Sequence, residues 1–254
     1  MEIQYLLADP TKNITVLVTT PVSRALQPEL ASLLLDLEPE AEQVGFVETA
    51  ADGQMRLQMM GGEFCGNATM SFGAWLCRRA PIGQTCRLAL KISGAPALVE
   101  CSITPLDGCF LGTVDMPLPE KIETLRLPGI NHIIVPAQVL TRVRAEELIR
   151  RWAEVLHADA LGILLLQEEE LCFDPLVYVT QTDTAVWERG CGSGSAAIGA
   201  YLTKKHGAPQ CVSIRQPGGA IAVTTRCAED GALSSLTISG TVLLGRSKKA
   251  DVTL

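Results

Sequence analysis

The chain has 254 residues, of which 47% are hydrophobic and 19% charged, enough for a full core in one or two domains and too apolar for intrinsic disorder. Its formal net charge of −7, with no basic cluster, argues against nucleic acid or an anionic membrane as a partner.

In chain order, the opening MEIQYLLADP is too short and too acidic for a signal peptide. Residues 14–19 (ITVLVT) read as a strand. Leucine spacing predicts a helix over 28–37, with Pro28 at an early position where it is tolerated. Strands at 45–48 and 55–59 lead to Cys65, and an apolar helix follows over 65–76. Residues 91–100 (KISGAPALVE) read as strand, Gly-containing turn and strand. The segment 115–129 holds three prolines and is the expected crossover between two lobes.

The second half opens with a strand at 130–135. An amphipathic helix is expected over 145–156, with Leu148, Ile149, Trp152, Val155 and Leu156 as its core positions. Strands at 162–166 and 176–180 come next, and Val186-Trp187 leads to a second apolar helix over 191–202. Residues 214–224 repeat the strand–turn–strand pattern, and 236–244 form a strand expected to return to the first lobe. The domain reading is therefore 1–117 for the N-terminal lobe, 118–240 for the C-terminal lobe, and 241–254 going back to the first.

The halves repeat each other. CGNATMSFGAWL begins at Cys65 and CGSGSAAIGAYL at Cys191, a separation of 191 − 65 = 126 residues. Cys, Gly, the later Gly-Ala and the final Leu fall at the same offsets. Neither stretch carries a charge, so each helix must be surrounded by protein. The expected fold is mixed α/β (α+β), with two pseudo-symmetric lobes, each a curved sheet wrapped around a central apolar helix. Small residues such as Gly73 and Gly199 allow strands to approach closely.

The nine cysteines form no CxxC pair, and the chain has only three histidines. That spacing suits neither a disulfide scaffold nor a metal site. Reduced thiols in the cytoplasm are the simpler reading. Cys77, Cys86, Cys101, Cys109, Cys172, Cys211 and Cys227 are read as structural. Cys65 and Cys191 differ from them because each heads a helix. A helix start carries unpaired N–H groups and a positive dipole end. It lowers a thiol pKa and binds a carboxylate. One thiolate, one thiol and a bound carboxylate suit proton removal at the α-carbon on one face and proton return from the other. That reaction is racemisation or epimerisation, and N–H groups aimed at the developing charge lower its barrier.

At these residues the chain resembles the diaminopimelate epimerase superfamily, within it most of all the histidine racemases of staphylopine-type metallophore synthesis. The likeness runs through KNITVLV (12–18), EQVGF (42–46), GEFCGNATMS (62–71), PLVYV (175–179), WERGCGSGSAAIG (187–199) and QPGGAIAVT (216–224). The resemblance implies mostly antiparallel sheets, a cofactor-independent isomerase without a metal, and a homodimer acting on a small amino acid. It places the two catalytic cysteines at Cys65 and Cys191, and a carboxylate cradle at Gly66, Asn67, Gly192 and Ser193. It makes Asn13 and Gln43 substrate contacts and Glu188 the receiver of the substrate ammonium. Plain alternatives stand beside these roles: a turn for Asn13, helix capping for Asn67 and Ser193, a surface ion pair for Glu188 with Arg189. Arg189 is the residue with which diaminopimelate epimerases read a distal carboxylate, so that activity, or racemisation of another amino acid, stays open beside histidine. A non-catalytic amino-acid-binding module is the reading from another class. His132 matches a histidine of the superfamily and is read as a core or strand-end residue.

Overall fold

A computed structural model describes residues 1–50, 53–117 and 126–252. Most of the Pro-rich segment expected to form the crossover, 118–125, lies outside the described residues. The chain divides into two compact units, Met1–Val114 with Gly240–Leu254, and Asp115–Ser239.

The first unit contains β1 (Glu2–Pro10), β2 (Thr15–Val18), α1 (Gln27–Leu37), β3 (Gln43–Thr49), β4 (Met55–Met59), α2 (Gly66–Leu76), β5 (Cys86–Ile92), β6 (Val99–Pro105) and β7 (Phe110–Asp115). The second contains β8 (Arg126–Leu127), β9 (Ile130–Pro136), α3 (Arg142–Val155), β10 (Ala160–Gln167), β11 (Cys172–Val179), β12 (Thr184–Trp187), α4 (Gly192–His206), β13 (Cys211–Gln216) and β14 (Gly219–Cys227). A last long strand, β15 (Leu233–Asp251), pairs with β14 through its first residues and with β1 through its last.

The sequence repeat is a repeat of strand pairing. In the first unit β1–β2 is antiparallel, β2–β3 parallel, β3–β4 antiparallel, β4–β5 parallel, and β5–β6–β7 antiparallel. In the second, β8–β9 is antiparallel, β9–β10 parallel, β10–β11 antiparallel, β11–β13 parallel, and β13–β14–β15 antiparallel. The β12 strand, on β11, is an addition of the second unit.

Strand periodicity sorts each sheet into two buried faces. In the first unit Val16, Val18, Val44 and Phe46 pack with Leu30, Ala31 and Leu34 of α1. The intervening residues Thr15, Leu17, Gln43 and Gly45 are buried as well, on the opposite side. All four residues of β2 are therefore covered, as expected for a strand with helices on both faces. In the second unit Leu161, Ile163 and Leu165 pack with Ala145, Ile149 and Ala153 of α3, and the alternate residues belong to the face of α4. Each large apolar side chain so buried contributes about 1.5–3 kcal/mol.

The α2 and α4 helices lie inside their units. Gly66 to Ala74 are all buried, as are Gly192 to Ala200. A Cβ on Gly73 would stand 3.0 Å from Ile103, and one on Gly199 would stand 2.4 Å from Val223, so both glycines set the helix-to-strand distance. One expected core position is corrected: Val155 is 69% exposed. It is nearly in line with Leu148, seven residues earlier and at the edge of the packed face, and it is the last residue of α3.

Candidate active site

In the first unit Cys65 is the N-cap of α2, with extended backbone, and its Sγ accepts the N–H of Ala68 at 3.4 Å. Thr69 Oγ1 donates to the Cys65 carbonyl at 2.7 Å. Gly66 and Asn67 supply the next N–H groups of the first turn, where the helical ladder offers no acceptor. The face of β2 and β3 turned towards α2 presents polar side chains below the thiol. The thiol donates to Gln43 Oε1 at 3.3 Å. Gln43 Nε2 donates to Asn13 Oδ1 at 2.7 Å and to Thr15 Oγ1 at 2.8 Å. Asn67 Nδ2 also reaches Asn13 Oδ1, at 3.0 Å, while Asn13 Nδ2 donates to Glu42 Oε2 at 2.5 Å. Thr15 and Gln43 are register partners across parallel strands, which explains how residues 28 apart in sequence meet at one thiol.

The loop before Cys65 is fixed from the β5–β6 turn. Ser93 Oγ accepts the Met59 N–H at 2.9 Å and donates to the Glu63 carbonyl at 2.9 Å. Gly94 has φ +72°, and a Cβ there would lie 2.2 Å from Phe64 N, so only glycine lets the turn lie against this loop. Burial pushes the Glu63 carboxyl up from the ordinary carboxylate range, against the pull of backbone N–H groups at Glu63 and Gly61.

In the second unit Cys191 caps α4 in the same way, accepting the Gly194 N–H at 3.4 Å, with Ser195 Oγ donating to its carbonyl at 2.8 Å. Gln216, at the end of β13, accepts the Cys191 N–H through Oε1 and donates to Ser195 Oγ at 3.0 Å. Ser193 Oγ lies 3.5 Å from Cys191 Sγ and 3.0 Å from His132 Nε2. His132 is the register partner of Gly162. A Cβ on Gly162 would stand 2.1 Å from His132 Nδ1, so the imidazole occupies the room that a side chain at 162 would need. The inner-face pair Thr15–Gln43 of one unit thus has His132–Gly162 as its counterpart in the other.

The surroundings of Cys191 oppose ionisation. Burial is the largest cause raising its thiol pKa, the Glu188 carboxylate acts in the same direction by charge and by a hydrogen bond, and Ser193 and the Gly194 N–H pull the other way. The expectation that a helix start lowers this pKa is therefore reversed for Cys191, because burial and the neighbouring Glu188 carboxylate outweigh the hydrogen bonds from Ser193 and the first-turn N–H of Gly194. Burial also pushes His132 down to about 3, so its ring is neutral at physiological pH.

The structure brings Asn13, Gln43 and Asn67 together with Cys65, and Ser193 and Glu188 together with Cys191. Arg189 has an exposed side chain, and its carbonyl accepts the Gly218 N–H at 2.6 Å. Sequence reasoning left out Glu42, Ser93 and Gln216 as supports of the thiols and gave His132 no link to Cys191. The signal at His132 was a glycine in its partner strand, visible only once register is known. Among the described residues, no group of three or more His, Cys, Asp or Glu is placed to hold a metal ion.

The family described as histidine racemase CntK N-terminal domain matches residues 2–248. A histidine racemase of Staphylococcus aureus is 29% identical over 257 residues, covering 92% of this chain and 93% of that protein. A Bacillus anthracis phenazine biosynthesis protein of the PhzF family superposes with a TM-score of 0.70 at 13% identity, covering 99% of this chain and 100% of that one. A probable proline racemase from Agrobacterium radiobacter K84, solved with bound carbonate, gives 0.65 at 16% identity, covering 99% and 93%. The two structural likenesses establish the shared mixed α/β fold.

Proposed function

The chain belongs to the histidine racemase family defined by the CntK N-terminal domain and is an amino-acid racemase; on that premise we propose that histidine is its substrate and that Cys65 and Cys191 are its acid–base pair. The observation that carries the proposal is the duplicated N-cap. In each unit a thiol stands at a helix start buried in protein, held by the third N–H of its own helix and linked to a polar group on the inner sheet face, Gln43 directly for Cys65 and His132 through Ser193 for Cys191. A structural cysteine needs no such support, since free Cys usually behaves as a small hydrophobe.

The chemistry requires a carboxylate to be held while the α-proton leaves. The first-turn N–H groups of Gly66-Asn67 and Gly192-Ser193 are suited to it, and they stabilise the charge that grows on the carboxylate as the carbanion forms. Cys191 begins as the protonated thiol, so it is the group ready to give a proton; in the reverse direction it must first lose that proton. Glu188, hydrogen-bonded to it, is the acceptor at hand. This assigns Glu188 to the thiol, where the resemblance gave it the substrate ammonium. Neither step calls for a cofactor. Supply of D-histidine to opine-metallophore synthesis and a homodimer rest on the resemblance, and a cytoplasmic setting rests on the cysteine pattern; together they complete the proposal.

The purified protein incubated with L-histidine in heavy water, without added cofactor, should exchange the Cα–H and accumulate D-histidine. Absence of exchange with histidine, together with exchange of diaminopimelate, would replace this reading by the one Arg189 suggests. Absence with every amino acid tried would refute the assignment of activity.

A further inference from the structure

The amides beneath Cys65 form a chain whose direction is fixed at one end. An ionised carboxylate only accepts hydrogen bonds. Asn13 must therefore present its Nδ2 to Glu42, as it does at 2.5 Å. Its Oδ1 is then turned the other way and can be met only by donors, which Gln43 Nε2 and Asn67 Nδ2 supply at 2.7 and 3.0 Å. With Nε2 committed to Asn13 and Thr15, Gln43 has its Oε1 left to face the thiol, at 3.3 Å. Each amide orientation follows from the one before it, which is how such networks are assigned in general. The carboxylate that begins the chain is placed by its own backbone, because the Glu42 N–H donates to the Ile14 carbonyl at 2.9 Å.

We propose that Glu42 is a positioning residue which, through Asn13 and Gln43, turns an oxygen rather than an N–H towards the Cys65 thiol and so sets how readily that thiol, the base opposite the Cys191 donor, gives up its proton. An acceptor facing Sγ favours S–H; an amide N–H in its place would favour thiolate. In this relay Glu42 acts by deciding which way two neutral amides point. The proposal rests on reading Cys65 as one of the two acting thiols.

The test reads ionisation at Cys65 alone, from the pH dependence of iodoacetamide labelling of its peptide by mass spectrometry. Glu42→Gln, which can donate as well as accept, frees the relay to reverse. The labelling midpoint should fall by up to about one pH unit, a tenfold rise in thiolate at a given pH below it. Glu42→Asp keeps an acceptor-only group and should hold the wild-type midpoint. In a Gln43→Met background, where the last amide is gone, Glu42→Gln should change nothing, whereas a bare charge effect would persist. An unchanged midpoint in Glu42→Gln, an equal fall in Glu42→Asp, or the same fall in the Gln43→Met background each overturns the proposal. The labelling readout is independent of turnover, so a Cys65→Ser protein that still racemised histidine would remove the catalytic reading of Cys65 and leave this result standing.

Discussion

His132 should make the protein acid-sensitive by an amount that can be worked out. Its ring is fully buried, held neutral by burial with a pKa of about 3, while the unfolded chain carries an ordinary histidine near 6.5. Between these values the unfolded state binds more protons, so stability rises with pH there and is lost as pH falls below about 6.5. At pH 5 the unfolded histidine is almost wholly protonated and the folded one is not, which costs about 2 kcal/mol relative to pH 7.5, at 1.36 kcal/mol per unit. The loss grows towards about 5 kcal/mol as pH approaches 3. His132→Asn removes the titration while keeping a polar side chain next to Ser193. Urea unfolding of both proteins at pH 7.5, 6 and 5 isolates the effect, because carboxylates such as Glu38 and Glu48 are common to the two. The stability lost between pH 7.5 and 5 should be about 2 kcal/mol smaller in the variant. Equal losses would mean that His132 is solvated or charged in the folded protein, and the neutral link to Ser193 would fall with it.

Other expectations concern packing and the second thiol. Gly199→Ala gains about 1 kcal/mol of helix propensity but drives a Cβ to 2.4 Å from Val223, whose β-branched side chain has little freedom to rotate away. Overpacking of about 1–3 kcal/mol should prevail, and adding Val223→Ala should return part of it in a double-mutant cycle; a net gain from Gly199→Ala alone would contradict the close approach of α4 to β14. Glu188→Gln removes both the charge and the carboxylate that hold the Cys191 thiol up, so the thiolate absorbance assigned to Cys191 should appear at lower pH than in wild type; no change would separate Glu188 from the thiol. Ile149→Ala should cost about 2–5 kcal/mol, whereas Val155→Lys, at an exposed site, should change unfolding by less than about 0.5 kcal/mol.

The two central helices were legible because their signal is local: twelve residues without a charge, and small residues wherever a strand approaches. The cysteines at their starts were legible because the same offset appears twice. Val155 misled because an apolar residue on the last turn can fulfil a helical spacing without packing. The β1 strand left no clear signal, since the alternation that buries Ile3 and Tyr5 changes phase over Leu6, Leu7 and Ala8, where the pairing with β15 shifts register. The supports of the thiols were least visible. Glu42, Ser93, His132 and Gln216 act through partners set by register between strands or by the meeting of a turn with a loop, and neither is written within a short window of sequence. The raised thiol pKa of Cys191 depends likewise on burial and on Glu188, which a helix-start argument alone does not contain.

The paired-thiol chemistry is tested most directly by Cα–H exchange and D-histidine formation in heavy water for wild type, Cys65→Ser and Cys191→Ser. General acid–base groups contribute about 10²–10⁴-fold, so each single replacement should lower racemisation by at least that range while circular dichroism shows an unchanged fold. Racemisation at the wild-type rate in either variant would contradict the central claim.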